Sequence, residues 1–132
     1  MNGFIIECAN KPGEIARVSE AIAAKGINIA SSASLAFGDR GAVGLLTNDE
    51  QGTRKALDEA GIGYREVEVV SVSLPDKPGT LADASRRLAD AGVNVELLMP
   101  TRIGGGEVVL AAGVGNAAAA RDALKELTTV GA

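Results

Sequence analysis

Histidine and tryptophan are absent from this chain of 132 residues, and cysteine occurs once, as Cys8. Without histidine and with a single thiol, the chain lacks the donor sets of soft metal sites and most pairs of a nucleophile with its base. A lone cysteine cannot form an internal disulfide, so a reducing cytoplasm is the simplest expectation. Enzymes that depend on these groups are therefore disfavoured.

Aromatic residues make up 2% of the chain, and its net charge is −4 with both signs interspersed. Because there is no basic patch for phosphates and little aromatic surface for bases, nucleic-acid binding is disfavoured. No run approaches the ~20 apolar residues that cross a bilayer. Glu7 interrupts the short apolar run near Met1 and no positive residue precedes it, so we expect no secretory signal peptide.

What the chain does contain is an internal repeat. Lys11-Pro12-Gly13 returns as Lys77-Pro78-Gly79, a shift of 66 positions. After one inserted residue the shift becomes 67. A repeat of this length indicates a duplicated module, and each copy alone is near the size at which folding is marginal, so we expect the copies to pack together. The identical pairs include Ala16/Ala82, Ser19/Ser85, Ala23/Ala89, Gly26/Gly92, Asn28/Asn94, Arg54/Arg121, Ala56/Ala123 and Leu57/Leu124.

Apolar spacing and turn residues predict the element order β-α-β-β-α-β in each copy. Gly26 is a typical helix stop, Gly38–Gly41 is typical of a hairpin turn, and Asp49 is a typical cap for the helix that follows it. The helix positions predicted to face inward are Ile15, Val18, Ile22, Ala56, Leu57 and Ala60 in the first copy, and Leu81, Leu88, Ala120, Leu124 and Leu127 in the second.

The alternation of apolar residues changes phase between Arg65 and Leu74, which requires a bulge or a change of packing partner. We interpret this as the last strand of one copy running into the first strand of the next, with modules at residues 1–69 and 70–132. The chain ends four residues after Thr128, so the second copy is expected to lack its last strand. The open sheet edge would be covered by the first copy or by a second chain, and we predict a homodimer.

The unit formed by a strand, Asn/Asp-Lys-Pro-Gly, a helix, Gly-x-Asn and a strand resembles the ACT domain, a ferredoxin-like regulatory fold that binds amino acids. The resemblance covers nearly the whole chain as two tandem copies. It implies an α+β fold of two βαββαβ modules with antiparallel sheets, and an effector at the interface between modules. The ligand-binding residues it implies are Asn10, Lys11, Pro12, Gly13, Glu14, Ile15, Asn28 and Ile29 in the first copy, and Asp76, Lys77, Pro78, Gly79, Thr80, Leu81, Asn94 and Val95 in the second.

Physical chemistry supports the loop before each helix as a receptor. A helix start offers backbone N–H groups and a positive dipole end, and a glycine lets a ligand approach the backbone. Asn28 and Asn94 offer both donors and acceptors, which suits an ammonium and a carboxylate together. The alternative is that Pro-Gly is only a turn, that the asparagines satisfy local backbone, and that Lys11 and Lys77 point into solvent.

The copies differ where a ligand would lie, so the two sites are not expected to be equivalent. Glu14 aligns with Thr80, and the small polar segment Ala30–Ser32 aligns with the bulky residues from Glu96 on. We predict that the two affinities differ at least tenfold, about 1.4 kcal/mol.

The function favoured by the sequence is an amino-acid-binding regulatory protein that acts through a partner enzyme or transporter, with no cofactor and no metal. The alternative is a structural interaction module without a small ligand. An enzyme is disfavoured, because Asp76 and Glu96 are possible acid–base groups but no nucleophile pairs with a base. Gly104–Gly106 joins two predicted strands and lacks a following Lys-Ser/Thr, so nucleotide binding is not expected there.

Overall fold

The sequence repeat corresponds to two structural units of the same design. The computed structural model describes the backbone of residues 1–129 and side chains as far as residue 127. One unit spans Asn2–Glu66, and the other contains Met1 and the residues from Val67 onward. We call these the first unit and the second unit. The module boundary between residues 69 and 70 stays a prediction.

The first unit is an antiparallel sheet with two helices. Its elements are β1 (Asn2–Ala9), α1 (Glu14–Ala23), β2 (Ile29–Phe37), β3 (Arg40–Thr47) and α2 (Glu50–Glu59). The strand order is β2-β3-β1, with Phe4 opposite Leu45 and Ser34 opposite Val43. A further strand, β4 (Arg65–Pro75), begins in this unit and continues into the second after Glu66.

The second unit repeats this arrangement, with strand order β5-β6-β4-β7 and antiparallel pairing throughout. Among its described residues there is no full-length last strand, as predicted. In that place β7 contributes two residues, which pair with Val72 and Ser73 of β4. The remaining elements are α3 (Thr80–Asp90), β5 (Val95–Gly104), β6 (Glu107–Val114), α4 (Ala117–Leu124) and β7 (Thr128–Thr129).

The predicted helix signals are found where they were expected. Asp49 precedes α2, and its carboxylate accepts a hydrogen bond from the Gly52 N–H at 2.9 Å. Asn116 caps α4 in the same way, accepting from the Ala119 N–H at 3.0 Å. Gly26 follows α1 with φ of 72°, a left-handed conformation that glycine adopts at little cost. These side chains and turns set where each helix begins and ends.

Each unit has its own apolar core between its helices and its sheet. Phe4, Ile6, Val18, Ile22, Leu45 and Leu57 lead the first core, and Val70, Val72, Leu74, Ala84, Leu88 and Leu124 lead the second.

Three positions predicted to face inward do not. Ile15 and Leu81 are 54% and 47% exposed, because they lie in the first turn of their helices, beside the preceding loop. Ala60 is exposed because α2 ends at Glu59. Thr53 is fully buried instead, and its hydroxyl donates to the Asp49 carbonyl at 2.7 Å, which removes the cost of burying a polar group.

The change of phase in β4 needs no bulge along its pairing with β6. That pairing keeps one register from Glu68 to Pro75. Val69 and Val70, which point to opposite faces of the strand, are both buried, so this part of β4 is covered on two faces. Along this pairing the change of phase therefore occurs without a bulge.

The register of the strands locates the single inserted residue of the second copy. In the first unit Ser34 lies opposite Val43, and the next residue of β2 lies opposite Ala42. In the second unit Pro100 lies opposite Leu110, but it is Arg102 that lies opposite Val109. Thr101 is therefore the extra residue, and it forms a β-bulge that keeps the rest of β5 in step with β6.

Candidate functional site

The two loops that precede α1 and α3 have the same backbone. Gly13 and Gly79 occupy the N-cap positions of these helices with φ of 93° and 92°. A β-carbon added to either residue would meet no atom within 4 Å. Glycine is therefore required here by the backbone conformation and not by crowding. In both loops this glycine is followed by the first N–H groups of a helix, which have no partner within the helix.

Glu14 stabilises the loop of the first unit through two hydrogen bonds of its carboxylate. Its Oε1 accepts a hydrogen bond from the Ala9 N–H at 3.3 Å, and its Oε2 accepts one from Arg17 Nε at 3.2 Å. The Arg17 hydrogen bond, followed by the Ala9 N–H, lowers the pKa of Glu14 despite an opposing contribution from burial. The Glu14 carboxylate is thus kept charged at the first residue of α1.

In the loop of the second unit the side chain donates the hydrogen bond and the backbone accepts it. Pro75 takes the place of Ala9 and has no N–H to offer. Thr80 takes the place of Glu14, and its hydroxyl donates to the Pro75 carbonyl at 2.8 Å and lies 3.2 Å from the Lys77 carbonyl. The two substitutions fit each other, because a loop without the donor does not need the carboxylate acceptor.

Asn10 ties the first loop to the β2–β3 hairpin. Its side-chain Nδ2 donates to the Gly38 carbonyl at 2.9 Å, and its backbone N–H donates to the Asp39 carbonyl at 2.9 Å. Asp76 makes only the backbone version of this contact among the bonds described, to the Gly106 carbonyl at 2.9 Å. A carboxylate cannot donate the side-chain bond, so the predicted ligand residue Asn10 already has a structural role.

The first unit contains a cavity of about 220 Å³ beside its loop, which we call the first cavity. Four predicted site residues line it, namely Asn10, Lys11, Glu14 and Ile15. Pro12 and Gly13 lie on the exposed loop without lining the cavity. Asn28 and Ile29, further along the chain, do not line it either. The structure therefore brings together only the loop half of the predicted set.

The opposite wall of the first cavity comes from residues that the sequence analysis did not select. They are Cys8 and Ala9 on β1, Ser34, Leu35 and Ala36 on β2, and Gly41, Ala42 and Val43 on β3. A β-carbon at Gly41 would lie 3.2 Å from the Leu35 carbonyl oxygen and 3.5 Å from Cys8 Sγ. The only signal for this wall was the run of small residues on two strands that a hairpin joins.

The second unit contains a cavity of about 300 Å³ in a different place, which we call the second cavity. It lies beneath α3, against β5 and β6. Of the predicted residues it includes Leu81, Asn94 and Val95. The loop residues Asp76, Lys77, Pro78, Gly79 and Thr80 do not line it. Here the structure brings together the Gly-x-Asn half of the predicted set.

Asn28 and Asn94 have exposed side chains and bonded backbones. The Asn28 N–H donates to Asn48 Oδ1 at 3.1 Å, and its carbonyl accepts from the Asn48 N–H at 3.2 Å. The Asn94 carbonyl accepts from the Gly115 N–H at 3.3 Å. These bonds hold the residue before β2 to Asn48, which follows β3, and the residue before β5 to Gly115, which follows β6.

The two cavities differ in charge. The first has a lysine and a glutamate in its lining, Lys11 and Glu14, and the second has no charged residue among the described residues that line it. An α-amino acid carries a carboxylate and an ammonium, which the first lining can match with one partner of each sign.

Within residues 1–129 no cluster of acidic, histidine and cysteine side chains is suited to a metal ion. No helix in that range is long and apolar enough to span a bilayer.

Comparison with known proteins gives the same reading of the fold. A family model described as the ACT domain matches the sequence twice, at residues 4–60 and 69–129. A search among curated proteins found no match.

Several solved structures share the architecture. Protein BT0572 from Bacteroides thetaiotaomicron superimposes with a TM-score of 0.79 at 24% identity, covering 98% of this chain and 90% of that one. The ligand-free regulatory subunit of aspartate kinase from Thermus thermophilus gives a TM-score of 0.65 at 21% identity, covering 96% and 90%. The corresponding subunit from Thermus flavus gives 0.63 at 21% identity, covering 95% and 90%. At these identities the likeness establishes the fold.

Proposed function

Because this chain belongs to the ACT-domain family, whose domains are regulatory and often bind amino acids, we propose that it binds an α-amino acid in the first cavity. The observation that carries the proposal is the meeting of Lys11, Glu14 and Asn10 around one cavity at the start of α1. The lysine ammonium pairs with the ligand carboxylate, near the helix N–H groups that also favour an anion. Glu14 pairs with the ligand ammonium.

The size of the first cavity supports a ligand of this class. Pockets for drug-sized molecules enclose about 300–1,000 Å³, and the first cavity encloses about 220 Å³. A free amino acid with a short side chain fits such a volume. Ser34 and Ala36 of β2 line the same cavity, and its volume of about 220 Å³ disfavours a large aromatic side chain.

Regulation follows from coupling between this site and a second protein. A ligand shifts an equilibrium only by its difference in affinity for two states. The proposed output is therefore a change in contact with a partner enzyme or transporter when the loop is bound. We place this activity in the cytoplasm, where the free thiol of Cys8 stays reduced. The position of the effector at an interface between modules stays a prediction.

The test is a thermal-shift screen of the twenty amino acids, followed by calorimetric titration of those that raise the melting temperature. Lys11→Met should weaken binding at least tenfold, about 1.4 kcal/mol. Lys77→Met is the matched control, because Lys77 has the same place in the repeat but lines neither cavity. Equal effects of the two substitutions, or no response to any amino acid, would contradict the proposal.

A structural interaction module is the second candidate, and one observation favours it. Leu35 and Phe37 are 81% and 92% exposed on β2, which forms an edge of the three-strand order in the first unit. Exposed apolar groups on an edge strand are typical of association sites. We propose that this strand contributes to a homodimer.

Light scattering tests the homodimer. Phe37→Ser should reduce a dimeric mass to the monomeric one, and Ala30→Ser, an exposed position on the same strand, should leave it unchanged. A monomeric mass for the unaltered chain at working concentrations would reject the homodimer. If the dimer forms and no amino acid binds, the interaction module is the better description.

A further inference from the structure

The second cavity supports an inference that rests on the proposed function and concerns a separate site. We propose that it is a second ligand site that binds a branched aliphatic chain beneath α3, with the polar head of the ligand at the mouth. Among amino acids this chemistry selects leucine, isoleucine and valine. The ligand class thus differs from the amino acids with short side chains that the size of the first cavity favours.

The lining of the second cavity is mostly apolar, and its inner part is buried. Ala84, Leu88, Val93, Ala112 and Leu124, from α3, β6, α4 and the segment that follows α3, are all buried. The polar side chains in the lining are Ser85 and Asn94, which are both exposed. A polar side chain placed in the interior would find no partner there and would lose its water. An aliphatic chain gains by leaving water.

The repeat provides an internal reference for this cavity. Strand register makes Ile6 and Leu45 of the first unit the counterparts of Val72 and Ala112, and the repeat shift of 66 positions makes Val18 the counterpart of Ala84. The first-unit residues are fully or almost fully buried and fill their core. Their counterparts are shorter by one, two and three carbon atoms, and all three line the second cavity.

An unfilled space of this kind is unusual in a natural core. Protein interiors pack as densely as organic crystals, with few voids larger than a water molecule. The first copy demonstrates that larger side chains are compatible with the same backbone plan. The shorter residues of the second copy therefore leave a space that a ligand can occupy, as small apolar molecules do in dry apolar cavities.

The mouth of the second cavity supports the same ligand class. Leu81, Val95 and Leu98 line it and are each exposed by more than a third of their surface. In the first copy the counterpart of Leu98 is Ser32. The mouth of the second cavity is therefore apolar where it opens to solvent. Ser85 and Asn94 also line the cavity, and their polar groups can hydrogen-bond the carboxylate or the ammonium of a ligand.

The experiment restores the first-copy residues in the second copy. L-Leucine is titrated into the full chain and into Ala84→Val and Ala112→Leu, with L-serine as the polar comparison. Because one methylene in an apolar pocket changes affinity by about 10–200-fold, each filled variant should weaken leucine binding at least tenfold. Ala82→Val is the matched control, since Ala82 is on the same helix but exposed, and it should bind leucine as the unaltered chain does.

A rim variant covers the case in which a filled core fails to fold. Leu98→Ser installs the first-copy residue at an exposed position, so folding is preserved, and it should also weaken leucine binding. The melting temperatures of the filled variants, which cavity filling commonly raises, verify that they are folded. Unchanged leucine affinity in the filled variants and in Leu98→Ser would overturn the inference.

The failures of the two proposals differ in pattern. If an amino acid other than leucine binds through Lys11 but leucine does not bind, the inference falls and the proposed function stands. If leucine binding needs Ala84 and Ala112 but no amino acid depends on Lys11, the first site falls and the inference stands. If none of the twenty amino acids binds, both fall.

Discussion

The loops before α1 and α3 share one backbone and are stabilised by opposite chemistry. In the first unit a backbone N–H donates to the Glu14 carboxylate, and in the second the Thr80 hydroxyl donates to a backbone carbonyl. The glycine at each N-cap has nearly the same φ. The comparison separates the positions of the module that the backbone conformation determines from those that a hydrogen-bond partner determines. The glycine is required by φ, whereas the residue that follows it need only match the donor or acceptor before the loop.

The largest expected effect comes from replacing Leu45 in the first core with alanine, the residue found at its counterpart Ala112 in the second unit. Leu45→Ala should lower the free energy of unfolding by about 2–5 kcal/mol, because a buried leucine leaves a cavity when truncated. Urea unfolding followed by far-ultraviolet circular dichroism measures this. Leu35→Ala, at a position 81% exposed, should change it by less than about 0.5 kcal/mol. A small cost for Leu45→Ala would mean that the first core is not filled as described.

Next in size is the replacement of the N-cap glycines. Gly13→Ala and Gly79→Ala should each cost about 1–2 kcal/mol, because an L-residue is strained at φ near 90°, and the two costs should agree within error. The same urea unfolding experiment applies. Gly63→Ala is the control, since Gly63 has no positive φ and its β-carbon would be free of contacts. Unequal costs for the two loops would contradict their backbone equivalence.

The helix caps should give a smaller effect. Asp49→Ala and Asn116→Ala each remove one side-chain acceptor from a helix start, at a cost of about 0.5–2 kcal/mol. Asp49→Asn keeps the cap but removes its charge near the helix dipole, for about 0.3–1 kcal/mol. Chemical denaturation of the three variants separates the hydrogen bond from the charge. If Asp49→Asn costs as much as Asp49→Ala, the cap bond is not what stabilises α2.

The smallest expected effect is the contribution of the first loop to the pH dependence of stability. The Arg17 hydrogen bond lowers the pKa of Glu14 below its ordinary value of 4.5. Stability from Glu14 is therefore complete above that ordinary value and is lost as pH falls through the lowered pKa. The stability difference between the unaltered chain and Glu14→Gln should shrink on acidification to about pH 3, below the ordinary carboxyl range.

Thr80→Val supplies the non-titrating comparison for that experiment. Thr80 has no ionisable group, so the cost of removing its hydroxyl should be the same across the acid range. Side-chain carboxyl shifts measured by NMR report the pKa of Glu14 directly. A normal or raised pKa for Glu14 would remove the proposed link between this carboxylate and the loop.

Much of the fold was predictable because it depends on local chemistry that the repeat displays twice. Gly26 ends a helix and Asp49 begins one for reasons contained within a few residues. The exposure of Ile15 and Leu81 was not predictable from periodicity, which gives the face of a helix but not how far its first turn extends past the sheet. Thr53 is buried because its hydroxyl bonds to the backbone, which an apolar pattern does not report.

The candidate site was predictable only in part, since it combines near and distant residues. The loop residues Lys11 and Glu14 follow from the motif, but Ser34 and Gly41 reach the first cavity through strand pairing across the chain. The second cavity arises from missing side-chain volume, and no single copy reveals that. Alignment of the copies does contain a signal for it, in Val18 against Ala84 and Leu45 against Ala112.

The extra residue Thr101 has a consequence for the two hairpins. An odd-numbered insertion in a strand would ordinarily turn every later side chain to the wrong side of the sheet. Here the bulge absorbs it, since Arg102 and the residues that follow resume pairing with β6. The outer part of β5 therefore carries one residue more than the matching part of β2, and both hairpins still close in register with their neighbouring strand.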